Sequence, residues 1–246
     1  RTYKEFITNP LTFTPTTNKI INHFELPSVT DELSITLNLT VTSHGGDWAC
    51  VFRKGNTDSG DSKQRTPSLW LTANNSFLHP RFSITDNGNF GSNSDFGTGL
   101  LTNRWYHIAY TLSDTQKRMD IYIDGIWTGF SSIQRVRVES VIFNDLPLYI
   151  GKDLNFQGFT GQMSKFRFYN FRLSPQEVLI DYSGEDPTKI TVVKCSSGIL
   201  AGSIVGTFFS GIIFSAGCLF LLKRKRQSHY EDEVGGNKVV ETSPNN

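Results

Sequence analysis

Apolar and polar residues alternate with a period of two over most of residues 20–172. The clearest example begins at Leu33, where every second side chain as far as Val41 is apolar and the intervening ones are serine, threonine or asparagine. Because successive side chains of a strand point to opposite faces, this pattern predicts a half-buried strand. Similar patterns predict further strands at Trp48–Arg53, Ser68–Thr72, Arg81–Thr85, Trp105–Leu112, Met119–Ile123, Thr128–Ser131, Arg137–Ile142, Leu146–Ile150 and Gln162–Phe171.

Turn-forming residues separate these segments, and the pair Asp124-Gly125 predicts a two-residue hairpin. One helix is expected, with Ser174 as its N-cap, Pro175 at its first position and Tyr182 near its end. About ten strands and a single helix are typical of a two-sheet fold. The sequence therefore predicts an all-β, antiparallel β-sandwich (a jelly roll) with one short C-terminal helix.

The stretch Gly198–Leu222 contains no charged residue and is followed at once by Lys223, Arg224, Lys225 and Arg226. As a helix it would be roughly 37 Å long, enough to cross a bilayer core of about 30 Å. Basic flanks stay in the cytoplasm, so the stretch predicts a type I single-pass helix with the N-terminus outside. We expect the plasma membrane, or another membrane of the secretory pathway, and a signal peptide removed before Arg1.

These boundaries divide the chain into five predicted segments. Residues 1–197 carry equal numbers of acidic and basic side chains, which argues against nucleic acid as a partner. The polar C-terminal tail has little apolar surface to bury, so we expect it to be disordered. The segments are an N-terminal extension (1–19), a jelly-roll ectodomain (20–182), a juxtamembrane stalk (183–197), the transmembrane helix (198–222) and a cytoplasmic tail (223–246).

Two features of the predicted anchor region suggest a homodimer. Small residues recur at every fourth position of the uncharged stretch, which allows two membrane helices to approach closely. An unpaired Cys195 just outside the membrane can join two chains, or it can pair with Cys50, and the sequence leaves both open. The small residues are Gly198, Gly202, Gly206 and Ser210.

Two glycosylation sequons suit a chain that passes through the secretory pathway, Asn38-Leu39-Thr40 and Asn74-Asn75-Ser76. Asn38 lies inside a predicted strand, whereas Asn74 lies in a predicted turn. Because glycans are bulky and need an accessible surface, Asn74 is the better candidate acceptor.

Four sequence blocks, taken in order, resemble a known family. The first contains W-x-H-I-A, the second ends in Y-I-D-G, the third reads L-Y-I-G, and the fourth is a long closing strand that leads into a helix. Together they resemble the laminin G-like and pentraxin-like jelly rolls of the concanavalin A-like lectin/glucanase superfamily, over roughly residues 20–182. The resemblance implies a β-sandwich that binds sugars or proteins outside cells, often with a calcium ion at one rim. The blocks are Trp105–Tyr110, Met119–Gly125, Leu148–Gly151 and Phe159–Glu177.

The resemblance also implies where calcium would bind. In pentraxin-like domains an acidic cluster follows the L-x-I-G strand and faces acids from an earlier loop. Oxygen-rich side chains stand at both places here, and calcium prefers oxygen ligands. Lys152 and Ser164 depart from the family's acidic pattern, and the alternative is that these are ordinary loop residues. The candidate ligands are Asp58, Asp61, Asp153 and Asn155.

Glucanases of this superfamily carry an E-x-D-x-x-E motif, and residues 1–197 contain none. Retaining glycosidases need two carboxyl groups about 5–5.5 Å apart, so the sequence predicts a protein that is not an enzyme. His107 is expected to be a core residue or to support a site from behind. Aromatic and amide side chains in a Gly/Asn-rich loop instead suggest a sugar-binding surface. Its candidate contacts are Phe90, Asn93, Asp95 and Phe96.

We therefore expect a cell-surface recognition module that binds a glycan or an extracellular protein. The alternative is a structural or adhesion component of a surface coat or membrane complex that binds no sugar. A membrane-tethered glycosidase is the least favoured hypothesis, because the catalytic motif is missing.

Overall fold

A computed structural model describes residues 1–56, 64–91, 96, 98–134 and 138–189. In these residues the predicted β-rich domain forms twelve strands and one α-helix, α1 (Pro175–Ser183). Short 3-10 turns occur at His23–Glu25 and Pro187–Lys189. The strands are β1 (Tyr3–Ile7), β2 (Leu11–Phe13), β3 (Asn18–Ile21), β4 (Glu32–Ser43), β5 (Ala49–Lys54), β6 (Ser68–Leu71), β7 (Leu78–Arg81), β8 (Tyr106–Ser113), β9 (Arg118–Ile123), β10 (Ile126–Ser132), β11 (Leu148–Gly151) and β12 (Thr160–Tyr169).

The strands form two antiparallel sheets, as predicted for a sandwich. The larger sheet has the order β1-β12-β4-β8-β9-β10, with β2 also paired to β12, and the smaller has the order β3-β11-β5-β6-β7. Apolar side chains of both sheets meet in one core. The ring of Phe52 in the smaller sheet packs edge-on against Tyr110 and Phe166 of the larger one, each at 5.9 Å between centroids.

Strand β4 confirms the strongest sequence pattern. It lies between β12 and β8 in the larger sheet, and its apolar side chains Leu33 to Val41 are buried in the core. Its polar residues, such as Ser34 and Thr36, lie on the opposite face and are also buried, since α1 and the segment before it cover that side. The period of two marked the strand but did not reveal that both faces are covered.

The first nineteen residues are part of the sandwich rather than an extension before it. Strand β1 pairs with β12 from Tyr3 to Ile7, and β2 pairs with the same strand at Leu11–Phe13. Phe13 is fully buried in the core and stacks on Phe159 at 5.0 Å. These strands have three to five residues, too few for alternation to stand out, and their pairing partner lies about 160 residues away in sequence.

Two predicted strands are wrong in the structure. A strand was expected at Arg81–Thr85, but the observed strand, β7, lies earlier and ends at Arg81. Beyond it, Phe82 and Ile84 make only single bridges. The segment expected at Arg137–Ile142 lies partly outside the described residues, and Val141 forms a single bridge to Ile84. Apolar alternation here marks core-facing loop residues, since Phe82, Ile84 and Val141 all join the core.

The predicted helix and hairpin are both confirmed. Ser174 accepts the backbone N–H of Glu177, whose carboxylate accepts the N–H of Ser174, which is a complete capping box. In the β9–β10 turn Asp124 and Gly125 have φ values of 51° and 75°. A Cβ added at Gly125 would lie 2.8 Å from Leu179 of α1, so glycine also allows the helix to pack on this hairpin.

The chain divides into two units, Arg1–Thr191 and Val192–Asn246, and the sandwich with its core belongs to the first. Among the described residues, no helix has both the length and the apolar character needed to cross a bilayer. The predicted membrane span 198–222 lies outside those residues, as do its small-residue stripe and the predicted tail.

Candidate functional site

Half of the predicted ligand and calcium residues lie outside the part of the chain that the structure describes. The same is true of Cys195, so neither its predicted pairing with Cys50 nor an interchain bond is tested. The predictions for these residues stand as made. The undescribed site residues are Asp58, Asp61, Asn93 and Asp95.

The two predicted aromatic contacts both lie against the sandwich. Phe90 is half-buried, and its ring packs edge-on against Phe82 at 5.2 Å between centroids. Phe96 is buried in the core, and a Cβ added at Gly129 would come within 2.5 Å of its ring. A ligand cannot stack on Phe96 without opening the sandwich, so its burial does not suit the predicted contact role.

Asp153, a predicted calcium ligand, is satisfied by protein groups. Its Oδ1 accepts the backbone N–H groups of Asn155 at 2.8 Å and Phe156 at 2.6 Å, and its Oδ2 accepts Nη1 of Arg53 at 3.1 Å. Both charged side chains are only 1% exposed. A calcium ion would have to compete with a buried guanidinium for Asp153. The side chain of Asn155 is exposed, and Asp58 and Asp61 lie outside the described residues, so the calcium site stays a prediction.

Cys50 lies beside this ion pair and is fully buried. Burial raises the pKa of its thiol well above the usual value, and the negative charge of Asp153 raises it further. The thiol is therefore held protonated and has little nucleophilic character.

The two sequons differ in accessibility. Asn38 is half-buried in the middle of the larger sheet, opposite His107 of β8 and Ser164 of β12. Asn74 is exposed in a turn with φ of 67°. Glycosylation stays a prediction at both, and the turn at Asn74 is the more accessible acceptor.

A buried polar network fixes α1 to the outer face of the larger sheet. Asp181 of the helix accepts Nη1 of Arg167 and the hydroxyl of Tyr169, both at 2.6 Å, and lies 2.9 Å from Nε2 of His107. Arg167 also donates to Glu5 of β1 at 2.6 Å. His107, expected to be a core residue or to support a site, therefore holds the helix to the sheet.

The Asp181 carboxyl is ionised in this network. Burial alone raises its pKa, but hydrogen bonds from His107 and Tyr169 and the charge of Arg167 lower the pKa to about 2. A buried charge with this many partners stabilises the folded arrangement, and removing one partner is costly. This network has a structural role.

At the far edge of the same face, two aromatic rings are exposed. Trp127 and Phe130 of β10 are 49% and 44% exposed, with their centroids 6.0 Å apart and their planes inclined by 24°. The guanidinium of Arg118 lies 4.1 Å from the Phe130 ring centroid and 6.0 Å from that of Trp127. We name the two rings, Trp127 and Phe130, the β10 platform.

Asp120 holds the platform in place. Its carboxylate accepts Nε1 of Trp127 at 2.8 Å, Nη2 of Arg172 at 2.6 Å, and Nε and Nη2 of Arg118 at 2.9 and 2.7 Å. Arg172 also donates to Gln116, which lies beyond the cluster. The indole orientation is therefore set by a hydrogen bond before any ligand arrives.

The Asp120 carboxyl suits this positioning role. Burial raises its pKa, but hydrogen bonds from Arg118, Trp127 and Arg172 outweigh burial, and the pKa lies below its usual value. A general acid in glycoside hydrolysis needs a raised pKa. Asp120 is thus equipped to orient Trp127 and Arg118 rather than to donate a proton.

The composition of β10 contained a signal for the platform that the alternation of apolar and polar residues did not reveal. The segment after Asp124-Gly125 reads I-W-T-G-F-S-S, and it contains two large aromatic residues but no charge. A bulge between Trp127 and Gly129 shifts the register, so both rings lie on one face although they are three residues apart. Only the bulged pairing reveals that they are neighbours.

Comparison with known proteins identifies the family to which this fold belongs. A family model described as the concanavalin A-like lectin/glucanases superfamily matches residues 16–179. A sequence comparison with curated proteins gives no match.

Solved structures resemble the chain at the level of the fold. The botulinum neurotoxin serotype D binding domain has a TM-score of 0.56 and 15% identity, over 74% of this chain and 46% of that one. The Trypanosoma rangeli sialidase has a TM-score of 0.46 and 18% identity, over 62% and 22%. This chain spans less than half of either structure, and such identities concern the fold alone.

Proposed function

Because the chain belongs to the concanavalin A-like lectin/glucanase superfamily, we propose that its β-sandwich is a recognition module that binds a glycan at the β10 platform. The observation that carries this proposal is the pair of exposed, neighbouring rings of Trp127 and Phe130, whose planes are nearly parallel. Aromatic faces are large, rigid contact surfaces, and in Trp and Tyr a polar group adds a hydrogen-bonding handle.

Three features make the platform suitable for a sugar. Each of the two rings leaves about half of its surface exposed, and the apolar C–H face of a pyranose ring can lie on it. Arg118 is partly exposed beside Phe130, and Arg172 and Gln116 supply further polar groups for hydroxyls. Asp120 fixes Trp127 in advance, so binding loses little side-chain freedom.

We further propose that this module is displayed outside the cell by the uncharged stretch 198–222, as a type I single-pass protein of the plasma membrane. It acts by binding and not by catalysis, in keeping with the missing glucanase motif and the lowered pKa of Asp120. The alternative occupant of the platform is a protein ligand whose apolar groups contact the two rings and whose acceptor groups bind the guanidinium of Arg118.

The test is a glycan array probed with residues 1–191, which include the whole sandwich core. Wild type should bind a restricted set of oligosaccharides, and the double variant W127A/F130A should lose that binding. The array is run with calcium and with a chelator. Since Arg53 satisfies Asp153, binding should be the same in both buffers.

Two variants are matched controls. Trp105 is 43% exposed, an exposed fraction similar to that of Trp127, but it lies before β8. Phe24 is an exposed phenylalanine outside the sheets. Trp105→Ala and Phe24→Ala should keep the wild-type array pattern. Binding that survives in the double variant contradicts the proposed site, and the absence of any glycan binding contradicts the proposed function. Hydrolysis of a labelled oligosaccharide contradicts the non-enzymatic part of the proposal.

A further inference from the structure

The exposed edges of the two sheets are protected unequally. Edge strands offer unpaired backbone groups to other chains, and natural proteins limit this with charges, prolines or short strands. Among the described strands, β1 contains Lys4 and Glu5, β3 contains Lys19, and β7 contains Pro80 and Arg81. Strand β2, beside β1 on the same edge, is only three residues long.

Strand β10 has none of these protections. Its seven residues, I-W-T-G-F-S-S, include no charge and no proline. Ile126 is 70% exposed at its start, next to the exposed platform rings. Within the described part of the chain, β10 pairs with β9 alone, and its other side is the end of the larger sheet.

We propose that β10 pairs antiparallel with β10 of a second copy of this chain, which joins two larger sheets edge to edge. The charge pattern favours a second copy as the occupant. An antiparallel strand laid against itself places identical residues near one another, and like charges directly opposite are destabilising. The uncharged β10 is free of this repulsion in every register, whereas Lys19 in β3 would lie opposite its own copy in a pair centred on it.

The residue order of β10 is also complementary to itself. Pairing about Thr128 and Gly129 places Trp127 of each copy across from Phe130 of the other. Cross-strand aromatic pairs stabilise a sheet, and a twofold axis produces this pair twice. The four rings would then form one band on the outer face of the joined sheets.

This dimer extends the proposed function but does not depend on it. If the β10 platform binds a glycan, pairing places two platforms side by side on one face. Two linked sites bind a polyvalent surface more tightly than either site alone, without any new contact. A surface glycan with repeated units is the ligand class that benefits.

Sedimentation velocity on residues 1–191 over a range of concentrations tests the dimer. Wild type should sediment as a dimer in reversible equilibrium with a monomer. Thr128→Lys and Ile126→Lys should each shift the population to monomer. Thr128→Lys places two like charges close to the twofold axis, and Ile126→Lys puts a charge into an edge strand that has none. Phe24→Lys adds the same charge at an exposed position outside the sheets and should remain dimeric.

Each outcome decides the proposal once circular dichroism shows that the variants are folded. Wild type that is monomeric at every concentration, or two lysine variants that stay dimeric, overturns it. Titration of a monovalent oligosaccharide distinguishes a failure of the proposed dimer from a failure of the proposed function. Thr128→Lys should bind it with wild-type affinity yet bind a dense glycan array more weakly, whereas loss of all glycan binding by wild type would leave the dimer result unaffected.

Discussion

Two buried aspartates on the outer face of the larger sheet have nearly the same surroundings and different consequences. Asp181 accepts hydrogen bonds from an arginine, a histidine and the phenol of Tyr169, and Asp120 accepts them from two arginines and the indole of Trp127. Their carboxylates are 3% and 2% exposed. In both, donated hydrogen bonds outweigh the cost of burial and the pKa is lowered.

The difference lies in what covers the aromatic donor. Tyr169 is fully buried and stacks on Tyr3 at 5.0 Å, so the Asp181 network is sealed by α1 and β1. Trp127 is half exposed in β10, the last strand of the larger sheet. The same chemistry stabilises the fold at one place and positions a surface at the other, and the amount of cover decides between these roles.

The largest effect is expected for Asp181→Asn. The neutral amide leaves the buried Arg167 with Glu5 as its remaining carboxylate partner, and removing one member of a buried pair is strongly destabilising. The free energy of unfolding of residues 1–191, measured in urea at neutral pH, should fall by roughly 3 kcal/mol. Asp145→Asn, at an exposed carboxylate beside His23, is the control and should change it by less than about 0.5 kcal/mol. Equal effects would remove the distinction between a sealed network and a surface pair.

Acid should weaken the fold through the same group. The pKa of Asp181 falls from 3.8 in the unfolded chain to about 2 in the folded one, so its stabilisation is full above about pH 4. It is lost as the pH falls from about 4 towards 2, and amounts to roughly 2 kcal/mol. Unfolding free energies of wild type should therefore fall more steeply over this range than those of Asp181→Asn. Parallel curves would show that Asp181 is not the group responsible.

Trp127→Ala should have the opposite balance, with a large effect on binding and a small one on folding. Loss of half of the β10 platform should weaken affinity for the oligosaccharide selected on the array by at least about tenfold, measured by calorimetry. The unfolding free energy should fall by only about 1 kcal/mol, because Asp120 keeps both arginines. A loss of stability as large as that of Asp181→Asn would show that the platform is a structural element after all.

The smallest effect is expected for Trp127→Phe, which keeps an aromatic face and removes the N–H donor to Asp120. Stability should change by less than about 1 kcal/mol, and affinity by less than about threefold, since stacking carries the contact. A large loss of affinity here, with stability unchanged, would assign the binding to ring orientation rather than to ring surface.

Local signals predicted those parts of the fold whose causes are local. The capping box at Ser174 and the hairpin at Asp124-Gly125 each depend on residues within a few positions, and both are present as expected. Strand β1 could not be found this way, because its stability comes from pairing with β12 across most of the domain. The predicted contact Phe96 is a similar case: an aromatic residue in a polar loop gives no sign that its ring packs against Gly129 of a distant strand.

The sequence by itself determined an all-β sandwich with its central strand and closing helix, because alternation and capping record which side of each segment meets apolar neighbours. It also predicted a membrane span in the uncharged stretch 198–222, and this stays a prediction because the stretch lies outside the described residues. Tertiary structure decided where the chain meets its surroundings. Asp181 and Asp120 are both acids in amphipathic segments of the chain, and only the packing of α1 over one and the end of the sheet beside the other separates a buried anchor from an exposed site. Exposure depends on what distant residues cover, and no local pattern records that.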